Sequence, residues 1–334
     1  MKVLILANAP APNQRWEAEE RSDRGVLQAA EAISRALQAN GHQVSTAEIG
    51  SHPSDLLQAV TKEGPDVIFN LCETLKGDSR LEPAVPFLLR WLGLPFTGNG
   101  PQTISILLEK TLTKRLLRDG GFPTPAFRDL ITESDLSDWD IWPAILKPAA
   151  EDASLGIDAG SVVNNRKSAQ QRFHLLAERF GTPVLIEQFV DGREINVAVL
   201  ETPQGLRMGV NEIDFTEMPA GIPHIVTYNA KWVEESDEFE KTPVKAPANL
   251  APDIDKAVRQ IVQQVFTYLN LAGYVRVDLR LDRQNKPWIL EINPNPDISP
   301  GAGFVKALPE MGLSYKQAIE MILQRACRTQ GNQA

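Results

Sequence analysis

Cysteine is almost missing from this 334-residue chain: there are two, Cys72 and Cys327, and neither lies in a CxxC. The four histidines show no ligand spacing. A disulfide framework or a zinc site is therefore excluded as the organising feature. An excess of positive charge is missing too, since 34 Lys and Arg stand against 43 Asp and Glu, a formal net charge of −9. Nucleic-acid binding leaves a basic footprint, so no nucleic-acid partner is expected. No apolar run approaches the ~20 residues that span a bilayer. The start, MKVLILANAP, lacks a long apolar core and a small-residue cleavage site, and reads as a first β-strand. No membrane partner is expected, and the expected location is cytoplasmic. The common phosphate loops are absent as well. No G-x-x-x-x-G-K-[ST] occurs, and the lack of G-x-G-x-x-G weakens a dinucleotide-binding reading.

What is present is ample core material, 43% hydrophobic and spread along the chain. Val3–Leu6 reads as a buried strand. Gly25–Asn40 has a helical apolar pattern (Val26, Leu27, Ala30, Ile33, Leu37), with Gly41 as its stop. Asp66–Leu71 reads as a second buried strand and Pro83–Leu92 as a helix. This alternation argues a parallel α/β layer, placed at about 1–100. A single helix is expected from about Thr103 to Arg118, then strands at Ala144–Lys147 and Val184–Val190 around a helix at Lys167–Phe180. These make a central domain over 101–187. The remainder, 188–334, has strands near Glu194–Leu200 and Leu206–Glu212, then a long polar stretch without periodicity. A loop of that length is usually a functional lid or disordered, and a lid is placed at about 215–245.

Two alternating segments follow, Gly273–Asp282 and Pro287–Asn293. Side chains on a strand alternate faces, so Arg276, Asp278 and Arg280 share one face, as do Glu291 and Asn293, while Leu290 and Ile292 point the other way. If a four-residue loop, Arg283–Lys286, closes a symmetric hairpin, Asp278 faces Glu291 and Arg276 faces Asn293. Opposed carboxylates are destabilising unless neutralised, and a divalent cation is the usual remedy. Asp, Glu and Asn offer hard oxygen ligands suited to Mg²⁺ with phosphate oxygens. A solvated polar hairpin face fits the strand pattern alone equally well.

Lys147 ends a buried strand and precedes the small-residue loop Ala149–Gly156, an arrangement that lets it reach phosphate while loop amides and Ser154 cover it. Taken alone, such a Lys is more often a surface charge. Val184–Val190 is apolar around a polar middle and suits an adenine slot, although an ordinary strand ending at Asp191-Gly192 explains it as well.

Together PDVIFNL, GLPFTGNG, LEKTLTKRLLRDGGFPTPAF, PAILKPAAEDASLGI, VLIEQFVDGREINVAVL, YNAKW, GYVRVDLRL and LEINPNP resemble the ATP-grasp superfamily, in its D-alanine–D-alanine ligase-like branch. The most specific feature is the thirteen-residue step from Asp278 to Glu291, then two to Asn293. The resemblance implies an α/β composite: an N-terminal parallel α/β domain and two α+β domains sandwiching ATP. It implies Lys110 and Lys147 on the phosphates and Ser154 in the phosphate lid. Glu187, Gln188 and Val190, with Phe189 beside them, would form the adenine hinge. Glu194 would bind ribose, and Lys231 would reach phosphate from the long loop. Asp278, Glu291 and Asn293 would hold Mg²⁺, with Mn²⁺ as an alternative, and Arg276 would stabilise the acyl oxygen. The implied reaction joins a small-molecule carboxylate to an amine through an acyl-phosphate, releasing ADP. Homodimerisation is implied by analogy.

The substrate half departs from the family pattern. The first amino acid's ammonium is held there by a Glu near the N terminus; here Glu20 is the nearest candidate, with Glu17, Glu19 and Asp23 competing. The family's Gly-Ser-Ser lid is Asp152-Ala-Ser154, and its tyrosine partner is Trp232. The serine loop for the second carboxylate is replaced by NPNPDISPGAG, with Asp297 and Ala302 at the key positions. Altered substrates are expected. A true D-alanine–D-alanine ligase and a noncatalytic ATP-binding regulator are the alternatives.

Overall fold

The apolar N-terminal segment forms strand β1 (Lys2–Asn8), buried from Val3 onward. In the computed structural model, which describes residues 1–10, 17–50, 52–149, 154–219, 221–233 and 235–329 (without the side chains of 17–24, 232 and 329), helix α1 (Glu17–Gln38) follows. Strand β2 (Gln43–Ile49), helix α2 (Pro53–Glu63) and strand β3 (Val67–Asn70) complete a parallel sheet of order β2-β1-β3. Helix α3 (Ala84–Trp91) comes next. The expected single helix after residue 103 is two, α4 (Pro101–Leu108) and α5 (Lys110–Asp119). Glu109 breaks them, with φ −86° and ψ 86° outside the helical region.

A second, antiparallel sheet has the order β4-β7-β5-β6, from β4 (Phe127–Leu130), β5 (Ala144–Pro148), β6 (Val162–Val163) and β7 (Val184–Gln188). Helix α6 (Arg166–Phe180) packs on it through Ala169, Phe173 and Leu176. The third sheet, order β10-β9-β8-β11-β12, holds β8 (Gly192–Thr202), β9 (Gly205–Ile213), β10 (Val244–Lys245), β11 (Tyr274–Asp282) and β12 (Pro287–Asn293).

The stretch after β9 is not irregular throughout. It contains α7 (Tyr228–Trp232) and α8 (Asp237–Glu240), whose first turns are capped by the Thr227 and Ser236 hydroxyls. Helices of five and four residues are too short to show a period, so the pattern missed them. Phe215, Met218, Ile225 and Thr227 are buried and anchor the segment.

Helices α9 (Pro252–Tyr268), α10 (Gly303–Lys306) and α11 (Tyr315–Thr329) cover the third sheet unequally. On one face Ile195, Val197, Val199, Val275, Val277, Leu279 and Leu281 pack against Val258, Val262 and Val265 of α9. On the other face Tyr274, Leu200 and Ala198 join a core with β1, α1, α10 and α11, while Arg280 at the far end is buried against Phe189 and Phe215. The C-terminal helix therefore closes the N-terminal unit, and Arg276, Asp278 and Arg280 face the cleft beyond it. A slip of one residue would turn these three charges into the core under α9, at a cost of several kcal/mol per ion. The apolar face thus fixes the register of the charged one.

Candidate active site

The hairpin of β11 and β12 pairs Arg276 with Asn293 and Asp278 with Glu291, as expected. The route to that register differs. Next to the turn Leu279 pairs with Ile289 and Leu281 with Pro287, so β12 carries one extra residue, a β-bulge at Leu290. The turn is tighter than a four-residue loop, because Asp282 N donates to the Lys286 carbonyl at 3.1 Å. The Asp282 carboxylate causes this, accepting from the amides of Gln284 and Lys286 and from Trp288 Nε1, each at 2.9 Å. Ile289 and Ile292 are consequently the buried pair of β12. Leu290 does not share the core face with Ile292; the bulge breaks the alternation there.

Across the sheet Glu291, Asp278, Asn196 and Asn211 stand in one row. Asp278 is gripped by Arg276, whose Nε and a terminal nitrogen each donate at 2.8 Å, and by Asn196 Nδ2 at 2.8 Å. Lys110 Nζ lies 3.4 Å from Glu291 Oε1. Enclosure in the cleft would raise the Glu291 carboxyl, but Lys110, Lys147, Arg276 and Lys231 hold it down, to about 2. Enclosure would weaken the Arg276 cation; Asp278, followed by Glu291 and Asp297, pushes it the other way, above its ordinary value. Asn293 Oδ1 accepts from Asn295 N at 2.8 Å, and Asn295 reaches Tyr274 OH (2.8 Å) and the Cys72 carbonyl (3.4 Å). Among the described residues no three Asp, Glu, His or Cys side chains form a metal cage. Two carboxylates and an amide suit a hard cation that completes its shell with ligand oxygens and water, as Mg²⁺ does. The donor set therefore fits.

On the facing wall Lys147 and Lys114 each pair with one oxygen of Glu187. Glu187 and Lys114 are each 1% exposed. Burial would raise the Glu187 carboxyl, and Lys114 and then Lys147 hold it below the usual carboxylate range. Burial lowers the Lys114 ammonium against the pull of Glu187. The end of β7 and the residue after it are pinned by Gln188 N, which donates to the Ala126 carbonyl (2.8 Å), and Phe189 N, which donates to that of Pro143 (2.9 Å). The Val190 carbonyl accepts from Arg280 at 3.2 Å. Arg280 also pairs with Glu194 at 2.9 Å, lies 5.1 Å over the Phe189 ring and donates to the His224 carbonyl. Burial raises the Glu194 carboxyl in spite of Arg280.

Ser154 has φ 61°, and its carbonyl accepts from Ile157 N at 3.0 Å. A Cβ on Gly156 would come within 2.7 Å of the Phe180 ring, so this turn requires glycine. The Ile157 carbonyl accepts from Tyr228 N at 3.0 Å, tying this loop to the start of α7. Lys231 of α7 is exposed, yet near enough to Arg276, Glu291 and Asp278 to feel their charges. Enclosure and then repulsion by Arg276 lower its ammonium, while Glu291 and Asp278 oppose this. The side chains of Glu17, Glu19, Glu20, Asp23 and Trp232, and residues Asp152 and Ala153, lie outside the described residues. Asp297 is exposed and caps its own turn, accepting from Ser299 N at 2.7 Å.

Sequence reading missed three contributors. Lys114 lies four residues after Lys110, which puts both on one helix face. Asn196 lies two residues after Glu194, on the same strand face. Arg280 was grouped with Arg276 and Asp278 but given no role.

Two walls, one built on β5 and β7 and the other on β8, β11 and β12, meet over a charged cleft in an ATP-grasp fold. Similarity searches agree. The family model described as D-ala D-ala ligase C-terminus matches residues 124–324, and the chain belongs to that family. It is 28% identical over 332 residues to the D-alanine–D-alanine ligase of Gloeobacter violaceus, covering 98% of this chain and 99% of that one. An uncharacterised protein of Sinorhizobium fredii is 30% identical over 324 residues, 96% of this chain and 91% of its own. The D-alanine–D-alanine ligase of Bacillus anthracis, solved with ATP, superposes with a TM-score of 0.76 at 16% identity, with 100% of both chains covered.

Proposed function

We propose that the chain is an ATP-dependent, ADP-forming ligase that joins a carboxylate to an amine. The carrying observation is the convergence of cations on one carboxylate. Lys110 from α5, Lys147 from β5, Arg276 from β11 and Lys231 from α7 all act on Glu291, in a chain whose net charge is −9. Positive charge concentrated in one cleft of an acidic protein is what a polyphosphate requires.

In this reading Lys110, Lys147 and Lys231 bind the ATP phosphates, and Ser154 closes over them. Glu187, Gln188, Phe189 and Val190 form the adenine wall, and Glu194 meets the ribose. Asp278, Glu291 and Asn293 would hold Mg²⁺ (or Mn²⁺), which supplies charge neutralisation between phosphates when bound. A carboxylate oxygen attacks the γ-phosphorus and ADP leaves. The amine nitrogen then attacks the acyl carbon, phosphate leaves and the nitrogen loses a proton. Arg276 stabilises the oxyanion at that carbon, and the 215–245 segment keeps water out. Glu20 is the proposed holder of a substrate ammonium.

The substrates differ, in this proposal, from two D-alanines. Asp297 bears electrostatically on Arg276 and on Tyr274, and would repel a second carboxylate there; a cationic amine acceptor suits it better. Relatives named D-alanine–D-alanine ligase over nearly the whole length favour the second reading, a true dipeptide ligase. Among the described residues no helix is long and apolar enough to cross a membrane. Phosphate release from ATP, screened over pairs of amino acids and small carboxylates with mass detection of product, tests the proposal. If D-alanine with itself gives the highest specificity constant, the second reading stands. If Mg²⁺ and ATP bind but no pair releases phosphate, the chain is a noncatalytic ATP-binding regulator.

A further inference from the structure

Helix α5 carries a lysine that the chemistry above leaves unused. An ammonium has three donors, and Lys114 has three oxygens for them. Its Nζ pairs with Glu187, donates to the Leu290 carbonyl at 3.1 Å and donates to Thr124 Oγ1 at 3.3 Å. The Thr124 hydroxyl in turn donates to the Ile289 carbonyl at 3.0 Å, and Ile289 N donates to the Pro123 carbonyl at 2.8 Å. Ile289 and Leu290 are where β12 bulges. Continuing the register of the turn without the bulge would place Leu290 opposite Asp278 and turn Glu291 toward the core.

We infer that Lys114 is a positioning residue: through the bulge carbonyls it sets Glu291 opposite Asp278, and through its ion pair it aims Glu187 and shares that carboxylate with Lys147. It thereby couples the two walls of the cleft. A buried ammonium is unfavourable unless fully partnered, and here each partner belongs to one wall or the other. Glu187 lies on β7, Leu290 on β12, and Thr124 on the segment hydrogen-bonded to β12. A methionine would fill the same volume but would hold neither carbonyl nor carboxylate. This inference rests on the ligase reading.

The test uses the full chain, with Mn²⁺ uptake by the ADP-saturated protein read by electron paramagnetic resonance, and ADP affinity in EDTA read by calorimetry. Thr124→Val keeps the packing but loses the hydroxyl. It should weaken Mn²⁺ about tenfold, as loss of an outer-shell contact does, and leave metal-free ADP affinity unchanged. Lys114→Gln should weaken both about tenfold, because Glu187 then holds Lys147 alone and draws it from phosphate. A Thr124→Val protein with wild-type thermal unfolding and wild-type Mn²⁺ affinity overturns the inference, even if Lys114→Gln does not fold. Wild-type affinities in a folded Lys114→Gln protein overturn it too. A wild-type chain that binds neither ADP nor Mn²⁺ removes the ligase reading itself, an outcome visible without any variant.

Discussion

The two sides of the cleft are built by different means. On the strand side each candidate charge has a protein partner: Arg276 with Asp278, Lys110 with Glu291, Lys147 with Glu187, Arg280 with Glu194. Sheets with buried faces, and helix α5 for Lys110, fix these positions. On the loop side, residues 294–303, the exposed Asp297 caps its own turn at Ser299, whereas Asn295 is tied to Tyr274 and the Cys72 carbonyl. The first arrangement is preformed before any ligand arrives, which is what a site for charged chemistry needs. The exposed turn at Asp297 can change by substitution without disturbing the sheet, so substrate choice should reside there.

The largest effect that sharpens this contrast is on the strand side. Glu291→Ala should lower turnover by at least about 10³-fold with the fold intact, since it removes the carboxylate on which four cations converge. Steady-state phosphate release alongside circular dichroism checks it. A smaller loss from Glu291→Ala than from Asp297→Asn would reverse the contrast.

Next is the loop side. Asp297→Ser should raise the specificity constant for an acceptor bearing a carboxylate by about tenfold, because one repulsive charge is worth roughly a kcal/mol near solvent, and should leave the KM for ATP unchanged. An equal change for every acceptor would show that the loop acts on the chemistry instead of the choice.

A third expectation concerns the 215–245 segment, which borders both sides. It holds two short helices and a hydrogen bond to the opposing loop, yet much of its backbone is outside regular structure. Protease cleavage within it should slow several-fold in saturating ATP and Mg²⁺. An unchanged rate would argue against a lid.

The same contrast explains what could be read in advance. The alternation R-V-D-L-R-L placed Arg276, Asp278 and Arg280 on one face, because an apolar side chain at every second position is a sequence property. The pairing of Asp278 with Glu291 was anticipated for an incomplete reason: a tighter turn removes one residue from the loop and the Leu290 bulge restores it. Such compensating irregularities leave no periodic trace. Lys114 was hidden because a lysine in TLTKRLL looks like any on an amphipathic helix. Its burial depends on β7 and β12, which are distant in sequence. Helices α7 and α8 were hidden by their length.

The smallest effect asks whether the strand side is preformed at all, and it is read through pH. Glu291 has an ordinary value of 4.5 and is held at about 2 in the folded chain. A group whose folded value is depressed stabilises the fold fully above its unfolded value and loses that contribution as pH falls through the folded one. The window is therefore from 4.5 down to about 2. Above it, wild type should resist urea better than Glu291→Gln, which leaves Lys110, Lys147, Arg276 and Lys231 without their shared anion. The side chain is 39% accessible, so solvent screening keeps the difference to no more than about 1 kcal/mol. Urea midpoints of both proteins without ligand, measured near neutrality and at two points inside the window, give the answer. The gap should narrow as acid protonates Glu291 in wild type. A gap of constant size would mean that the four cations do not hold this carboxylate before ATP binds, and that the strand side, like the loop side, is organised only by its ligand.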